Sequence, residues 1–215
     1  MVWKIEMSKI KAVIFDMDGV LIEAKDWHYE ALNKALELFG QSISRYDHLV
    51  TYDGLPTMMK LEMMTVERGL PRSLHEFINE IKQQYTLDMV FTKCKPTFNH
   101  QFALSQLKKD GYKLGVASNS VRITVESMMN KSALAEYLDI MLSNQDVEKP
   151  KPDPEMYNNA ISFLGLKPEE CLIVEDNENG IKAAYASGAY VLEVLTVDDV
   201  NYKNITDKIK EVEAK

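Results

Sequence analysis

The chain has 215 residues, 46% hydrophobic and 27% charged, with a formal net charge of −8. That length buries a substantial core as one domain, or as one domain carrying an insertion. The acidic balance weighs against nucleic acid and anionic membrane surfaces as partners, which reward basic patches, whereas a small anionic substrate needs only a locally positive site.

Residues 1–10 hold no apolar run of signal-peptide length and no later stretch approaches a membrane span, so a cytoplasmic protein is expected. Cys94 and Cys171 lack metal-ligand spacing, and without an export signal they are expected as reduced thiols.

The first predicted strand lies in KAVIFDMDGVLI, residues 11–22, an apolar run that carries Asp16 and Asp18. Two carboxylates held so close repel, and ionising both takes water, hydrogen bonds or a cation. A helix follows in WHYEALNKALELFG, with apolar spacing at Trp27, Ala31, Leu32, Ala35, Leu36 and Phe39 and a stop at Gly40. DGLPTMMKLEMMTVERGLP reads as a turn, a helix and a Gly-Leu-Pro stop, with Met58, Met59, Met63 and Met64 as packing residues. SLHEFINEIKQQYTLDMVF is a further amphipathic helix, with Ser73 as its expected N-cap. Residues 27–95 thus give helix after helix and no strand.

From Pro96 the pattern changes. A helix through HQFALSQLKKDG precedes the strand KLGVAS, a helix from about Arg122, and a short strand near LDIMLS. The Pro-rich loop EKPKPDPEMY, a helix to Leu164, the strand CLIVE, the helix NGIKAAYASG and the strand AYVLEV follow, and a terminal helix lies after Asn201. Apolar strands alternating with helices predict an α/β, Rossmann-like three-layer core with a mainly parallel sheet. The expected division is a core of residues 1–26 and 96–215, with a helical cap, residues 27–95, inserted after the first strand.

Ligands of such sheets bind at the carboxyl ends of strands. Here those ends offer Asp16 and Asp18, Ser118 and Asn119, Glu175 and Asp176, with Lys149 in the loop after the third strand. Several acids with oxygen donors and no histidine favour a hard cation, magnesium above all. A carboxylate beside such a cation can attack phosphorus, and a second one can protonate a leaving oxygen and later deprotonate water. Ser118, Asn119 and Lys149 would bind phosphoryl oxygens, and Gly19 lets the chain turn after the acids. Taken singly, each group has an ordinary alternative as a solvated acid, a helix-start acid, a loop residue or a solvated lysine. Their joint order makes the case.

FDMDGV resembles the first motif of the haloacid dehalogenase superfamily, VASNS the second, EKPKPD the third and IVEDNENGIKAA the fourth. The resemblance implies Asp16 as the nucleophile that forms an aspartyl-phosphate and Asp18 as the general acid/base. It implies that Ser118 and Lys149 position phosphate, and that Asp176, Asp16 and the Asp18 carbonyl hold magnesium, with Glu175 in support. Lys149, rather than Lys151, matches its Lys-Pro-x-Pro-Asp pattern. The position of the cap resembles the branch with sugar-phosphate phosphatases, phosphoglycolate phosphatase and beta-phosphoglucomutase.

Within the cap, YDGLPT is the loop expected to reach the site, with Gly54 and Thr57 as substrate-binding candidates beside Asn119. His28 matches a histidine of the mutases, with a hinge role as its alternative, and Trp27 is expected to anchor the hinge. Glu23, Ala24 and Asn177 depart from the residues usual in relatives.

The expected function is a magnesium-dependent phosphatase acting on a small phosphorylated metabolite, as a monomer. The alternatives are a phosphosugar mutase of the beta-phosphoglucomutase kind and a non-catalytic binding module. The mutase calls for basic cap residues near the loop, where TYDGLPT offers none before Lys60.

Overall fold

The computed structural model describes residues 9–52 and 54–214. Five parallel strands form one sheet in the order β3-β2-β1-β4-β5: β1 Ala12–Phe15, β2 Lys113–Ala117, β3 Ile140–Leu142, β4 Cys171–Glu175 and β5 Tyr190–Glu193. All four residues of β1 are fully buried, as its unbroken apolar run requires of a central strand covered on both faces. Phe15 stands in register with Val116 of β2 and Val174 of β4. The residues just beyond these three therefore emerge together at one edge, where the chain order reverses on either side of β1.

Side chains of a strand alternate between faces, and the two faces carry separate clusters. Val13 and Phe15 pack with Leu104 of α5 (Phe98–Lys109), Val125 of α6 (Arg122–Lys131) and Ile205 of α9 (Tyr202–Glu213). Ala12 and Ile14 pack with Met156 and Ala160 of α7 (Glu155–Phe163) and Ala183 of α8 (Glu178–Ala186). Burying a side chain the size of Val13 or Phe15 stabilises by roughly 1.5–3 kcal/mol, so the sheet is a rigid platform for what its edge carries. Cys94 and Cys171 are buried free thiols in opposite clusters, with the sheet between them.

Between β1 and α5 the chain builds a third cluster of its own. Leu32 and Leu36 of α1 (Lys25–Glu37), Leu61 and Met64 of α3 (Thr57–Arg68) and Ile78 of α4 (His75–Lys93) form it with Tyr52. The short α2 (Arg45–Asp47) and a wide helical turn, His48–Tyr52, bridge α1 to α3. We assign residues 27–95 to a cap on the strength of this separate cluster. Trp27, and Val90 and Cys94 at the end of α4, pack instead against the first sheet cluster, tying cap to core at both crossings.

Two sequence expectations fail here. Ser73 does not cap α4, because Pro71 starts a tight turn, Arg72–Leu74, in which the Leu74 N–H donates to the Pro71 carbonyl at 3.0 Å, and the helix begins only at His75. Met58 and Met59 are not packing residues: at 43% and 44% exposure they lie off the face that buries Met64. No described helix is long and apolar enough to cross a membrane.

Candidate active site

Asp16 follows β1 directly, its N–H donating to the Val174 carbonyl at 2.9 Å, so its carboxylate is set by the ladder rather than by a loop. The chain then turns at Gly19, where φ is +95° and a Cβ would stand 2.2 Å from Asp176 Oδ2. Both the left-handed backbone and the approach of that carboxylate require glycine.

Asp16, Glu175 and Asp176 each bring a carboxylate oxygen within 4.8 Å of the others. Burial pushes the Asp16 carboxyl well above the usual carboxylate range; Lys151 opposes the shift, and Glu175, Asp176 and Asp18 add to it. The Lys151 ammonium lies 2.6 Å from Asp16 Oδ1 and 2.7 Å from Glu175 Oε1, and it also donates to the Ala117 carbonyl and the Tyr157 hydroxyl, both at 2.8 Å. Although burial disfavours its charge, Asp16 and Glu175 hold it above the ordinary lysine range. Glu175 also accepts from the Tyr157 hydroxyl at 2.7 Å and, through Oε2, from the N–H groups of Asp176 and Asn177 at 3.0 and 3.2 Å. Both its oxygens are thus engaged, and it serves as the strut of the cluster. Asp176 pairs with Lys25 at 2.6 Å.

The lysine of this site is therefore Lys151, and the expectation for Lys149 is corrected. Lys149 is exposed and does not line the cavity, while Lys151 is 3% exposed. The loop contains two overlapping Lys-Pro-x-Pro runs, starting at Lys149 and at Lys151. Asn119 selects between them: its side chain accepts from the Lys151 N–H at 3.1 Å and donates to the Lys151 carbonyl at 3.3 Å, pinning residue 151 to the end of β2.

Asp18 turns the other way. Its Oδ1 lies 2.9 Å from His28 Nε2, and its Oδ2 accepts from Ser120 at 2.9 Å and from Ser118 at 3.4 Å. Burial alone would raise its carboxyl, but His28, Ser120 and Lys82 outweigh that and hold it below the usual range. His28 Nδ1 is 3.1 Å from the Lys82 ammonium. Burial, with Lys60 adding, pushes Lys82 down to about 7.

The cap loop reaches the core where YDGLPT places it. The Gly54 carbonyl accepts from Asn119 at 3.0 Å, and with φ at +70° a Cβ on Gly54 would stand 2.3 Å from Asn177 Oδ1. Thr57, the first residue of α3, lines the same cavity of about 140 Å³ as Asp16, Asp18 and Ser118. Asp53 lies outside the described residues. Asn177 caps α8, its side chain accepting from the Asn179 N–H at 3.0 Å.

Besides Lys151, five residues around the site escape the sequence reading: Ser120, Tyr157, Gly180, and the cavity-lining cap lysines Lys60 and Lys82. A signal existed for Lys82, which fills the slot between Ile78 and Thr86 in the buried row Ile78, Lys82, Thr86, Val90 of α4. A lysine on an apolar stripe is buried for a reason. Nothing local marks Tyr157, which meets Glu175 and Lys151, or Gly180, which lies against Glu175.

The donor set suits a magnesium ion. Asp16 and Asp176 supply hard carboxylate oxygens beside a third acid, Glu175, within 4.8 Å of one another, a set of oxygen donors that suits a hard cation.

The family model for haloacid dehalogenase-like hydrolase matches residues 13–194. The pyrophosphatase PpaX of Bacillus cereus (strain AH820) is 29% identical over 186 residues, 84% of this chain and 81% of that protein. In fold the chain is similar to a beta-phosphoglucomutase from Clostridium difficile, with a TM-score of 0.83 at 20% identity over 96% of this chain and 100% of that one. It is similar also to a predicted phosphoglycolate phosphatase from Haemophilus somnus 129PT, with a TM-score of 0.77 at 20% identity over 94% and 98% of the two chains.

Proposed function

This chain belongs to the haloacid dehalogenase-like hydrolases, and from that premise we propose that it is a magnesium-dependent phosphatase that cleaves a small phosphomonoester through an aspartyl-phosphate. The observation that carries the reading is the arrangement at the β1 end: Asp16 held by Lys151 within an acid cluster, with Asp18 two residues on and aimed elsewhere.

Asp16 attacks phosphorus, forming the acyl-phosphate bond as the bond to the leaving oxygen breaks. Asp18, which takes up a proton as the substrate's negative charge enters the cavity beside it, gives that proton to the leaving oxygen and then takes one from the water that hydrolyses the intermediate. His28 and Ser120 hold Asp18 in place for both steps. Lys151 opposes the protonation that burial favours at Asp16, and Ser118 and Asn119 line the phosphoryl side of the cavity. Asp16, Asp176 and the Asp18 carbonyl would hold magnesium, which when bound neutralises charge on the phosphoryl oxygens. The docked loop at Gly54 keeps bulk water from the cavity.

A phosphosugar mutase is the second reading. The basic cap residues it calls for are present as Lys60 and Lys82, placed by helices rather than by the loop. Pyrophosphate, the substrate in the name of the Bacillus relative, would follow the same steps with phosphate as leaving group. The test is phosphate release from a panel of phosphomonoesters and pyrophosphate, with and without magnesium, for the native chain and Asp16→Asn. Magnesium-dependent release that the substitution abolishes supports the phosphatase. Isomerised hexose phosphate formed with a bisphosphate activator, and no free phosphate, would replace it with the mutase.

A further inference from the structure

Two lysines meet the acid cluster, and they are held in different ways. The Lys151 side chain is 3% exposed and has four partners: the Asp16 and Glu175 carboxylates, the Ala117 carbonyl and the Tyr157 hydroxyl. Lys25 pairs with Asp176 at 2.6 Å, and its side chain is 29% exposed where that of Asp176 is 1% exposed. A buried carboxylate needs a counter-charge. At Asp176 that charge comes on a flexible stem with a way out to water. Lys25 stands there against local preference, as the first residue of the thirteen-residue α1, whose N-cap Ala24 makes no side-chain bond. The start of a helix is its positive end and favours acids over lysine, so the reason for Lys25 lies across the site. Gly19 makes room for the pair. A Cβ there would stand 2.6 Å from Lys25 Cε as well as 2.2 Å from Asp176 Oδ2, so stem and carboxylate both close over bare backbone. Asp176 is also one of the acids assigned above to magnesium. A dication on that carboxylate and an ammonium 2.6 Å from its Oδ2 would repel each other strongly in so buried a place.

We propose that Lys25 is a displaceable counter-ion of the metal site, its ammonium and magnesium competing for Asp176. The inference rests on the preceding reading for the metal and not for the reaction. When magnesium binds, the lysine head withdraws into the cavity it already lines. When magnesium leaves, Lys25 returns and keeps the buried carboxylate neutralised. Lys25 therefore lowers the affinity of the site for magnesium and stabilises the chain without it. Lys151, enclosed by its four partners, stays in place through the exchange.

The test is magnesium binding with no substrate present, by titration calorimetry and by Tm against magnesium chloride concentration. Lys25→Met and Lys25→Gln are each expected to bind magnesium about tenfold more tightly than the native chain. Lys25→Gln, which can still hydrogen-bond Asp176, serves if Lys25→Met does not fold without the metal. Lys25→Arg keeps the competing charge and should stay within about threefold of native. Lys149→Met removes the same charge from an exposed position and should stay within about twofold. Both neutral variants should melt below the native chain without magnesium and converge with it at saturating metal, since Lys25 has then left Asp176 in every chain. Unchanged or weaker binding in both, a tightening no larger than that of Lys149→Met, or a Tm deficit that saturating magnesium leaves intact would overturn the exchange. Absence of magnesium binding in every chain would overturn it together with the metal assignment. Tightening without phosphate release from any ester by the native chain would sink the phosphatase reading and leave the exchange standing. Magnesium-dependent release without tightening would do the reverse.

Discussion

Gly180 is the position where local rules and the structure give opposite signs. It sits inside α8, where replacing glycine by alanine ordinarily stabilises by about 1 kcal/mol through backbone entropy. A Cβ there would stand 1.7 Å from Glu175 Oε1 and 2.4 Å from Oε2, so the carboxylate must move. Glu175 is 1% exposed and anchored by Lys151, Tyr157 and the N–H groups of Asp176 and Asn177. Losing two of those charge-assisted hydrogen bonds at about 1.5–3 kcal/mol each outweighs the helix gain and leaves a net loss of about 2–5 kcal/mol. For a chain of this size that is a fall in Tm on the order of 10 °C, readable by calorimetry and by a lower urea midpoint at unchanged slope. In a Glu175→Ala background the same substitution should become neutral or stabilising, since the obstructing atoms are gone. Gly180→Ala as stable as the native chain, or equally destabilising in both backgrounds, would refute the account of Glu175 as the strut.

Lys151→Met should lower phosphatase activity by about a hundredfold or more, whereas Lys149→Met should stay within about twofold, in a steady-state assay on one substrate. Burial pushes the Cys94 and Cys171 thiols up to about 11 and about 12; a thiol-disulfide reagent at pH 8 should leave both unlabelled in the native chain and label both in urea. Lys82 releases its proton near 7 in the folded chain and near 10.5 when unfolded, so the unfolded state binds more protons between those values and stability rises with pH there. Relative to Lys82→Met, the native chain should gain on the order of 1 kcal/mol per pH unit from pH 7 to 9 in urea titrations, and a flat difference would contradict the burial of a charged Lys82. Magnesium should raise the Tm of the native chain, and Asp176→Asn should remove most of that rise.

The sequence by itself determined the architecture and the gathering of the acids at one sheet edge. Runs such as AVIF and CLIV are apolar throughout, so they become the buried central strands, and whatever follows them emerges at one edge of a parallel sheet. Asp16, Asp18, Ser118, Glu175 and Asp176 were legible for that reason: their neighbours along the chain place them. The docking of the YDGLPT loop was legible at Gly54, because a turn with positive φ announces itself in glycine. Only the tertiary structure chose Lys151 over Lys149, since both begin a Lys-Pro-x-Pro run and the choice is made by Asn119, more than thirty residues away in sequence. It alone brought Tyr157 and Gly180 to Glu175, and Lys60 and Lys82 to one wall of the cavity. Local pattern reports the face a residue occupies, while the group that meets it across a cavity is set by how separate elements pack. Chemistry that depends on pairs of distant side chains is decided only when the chain has folded.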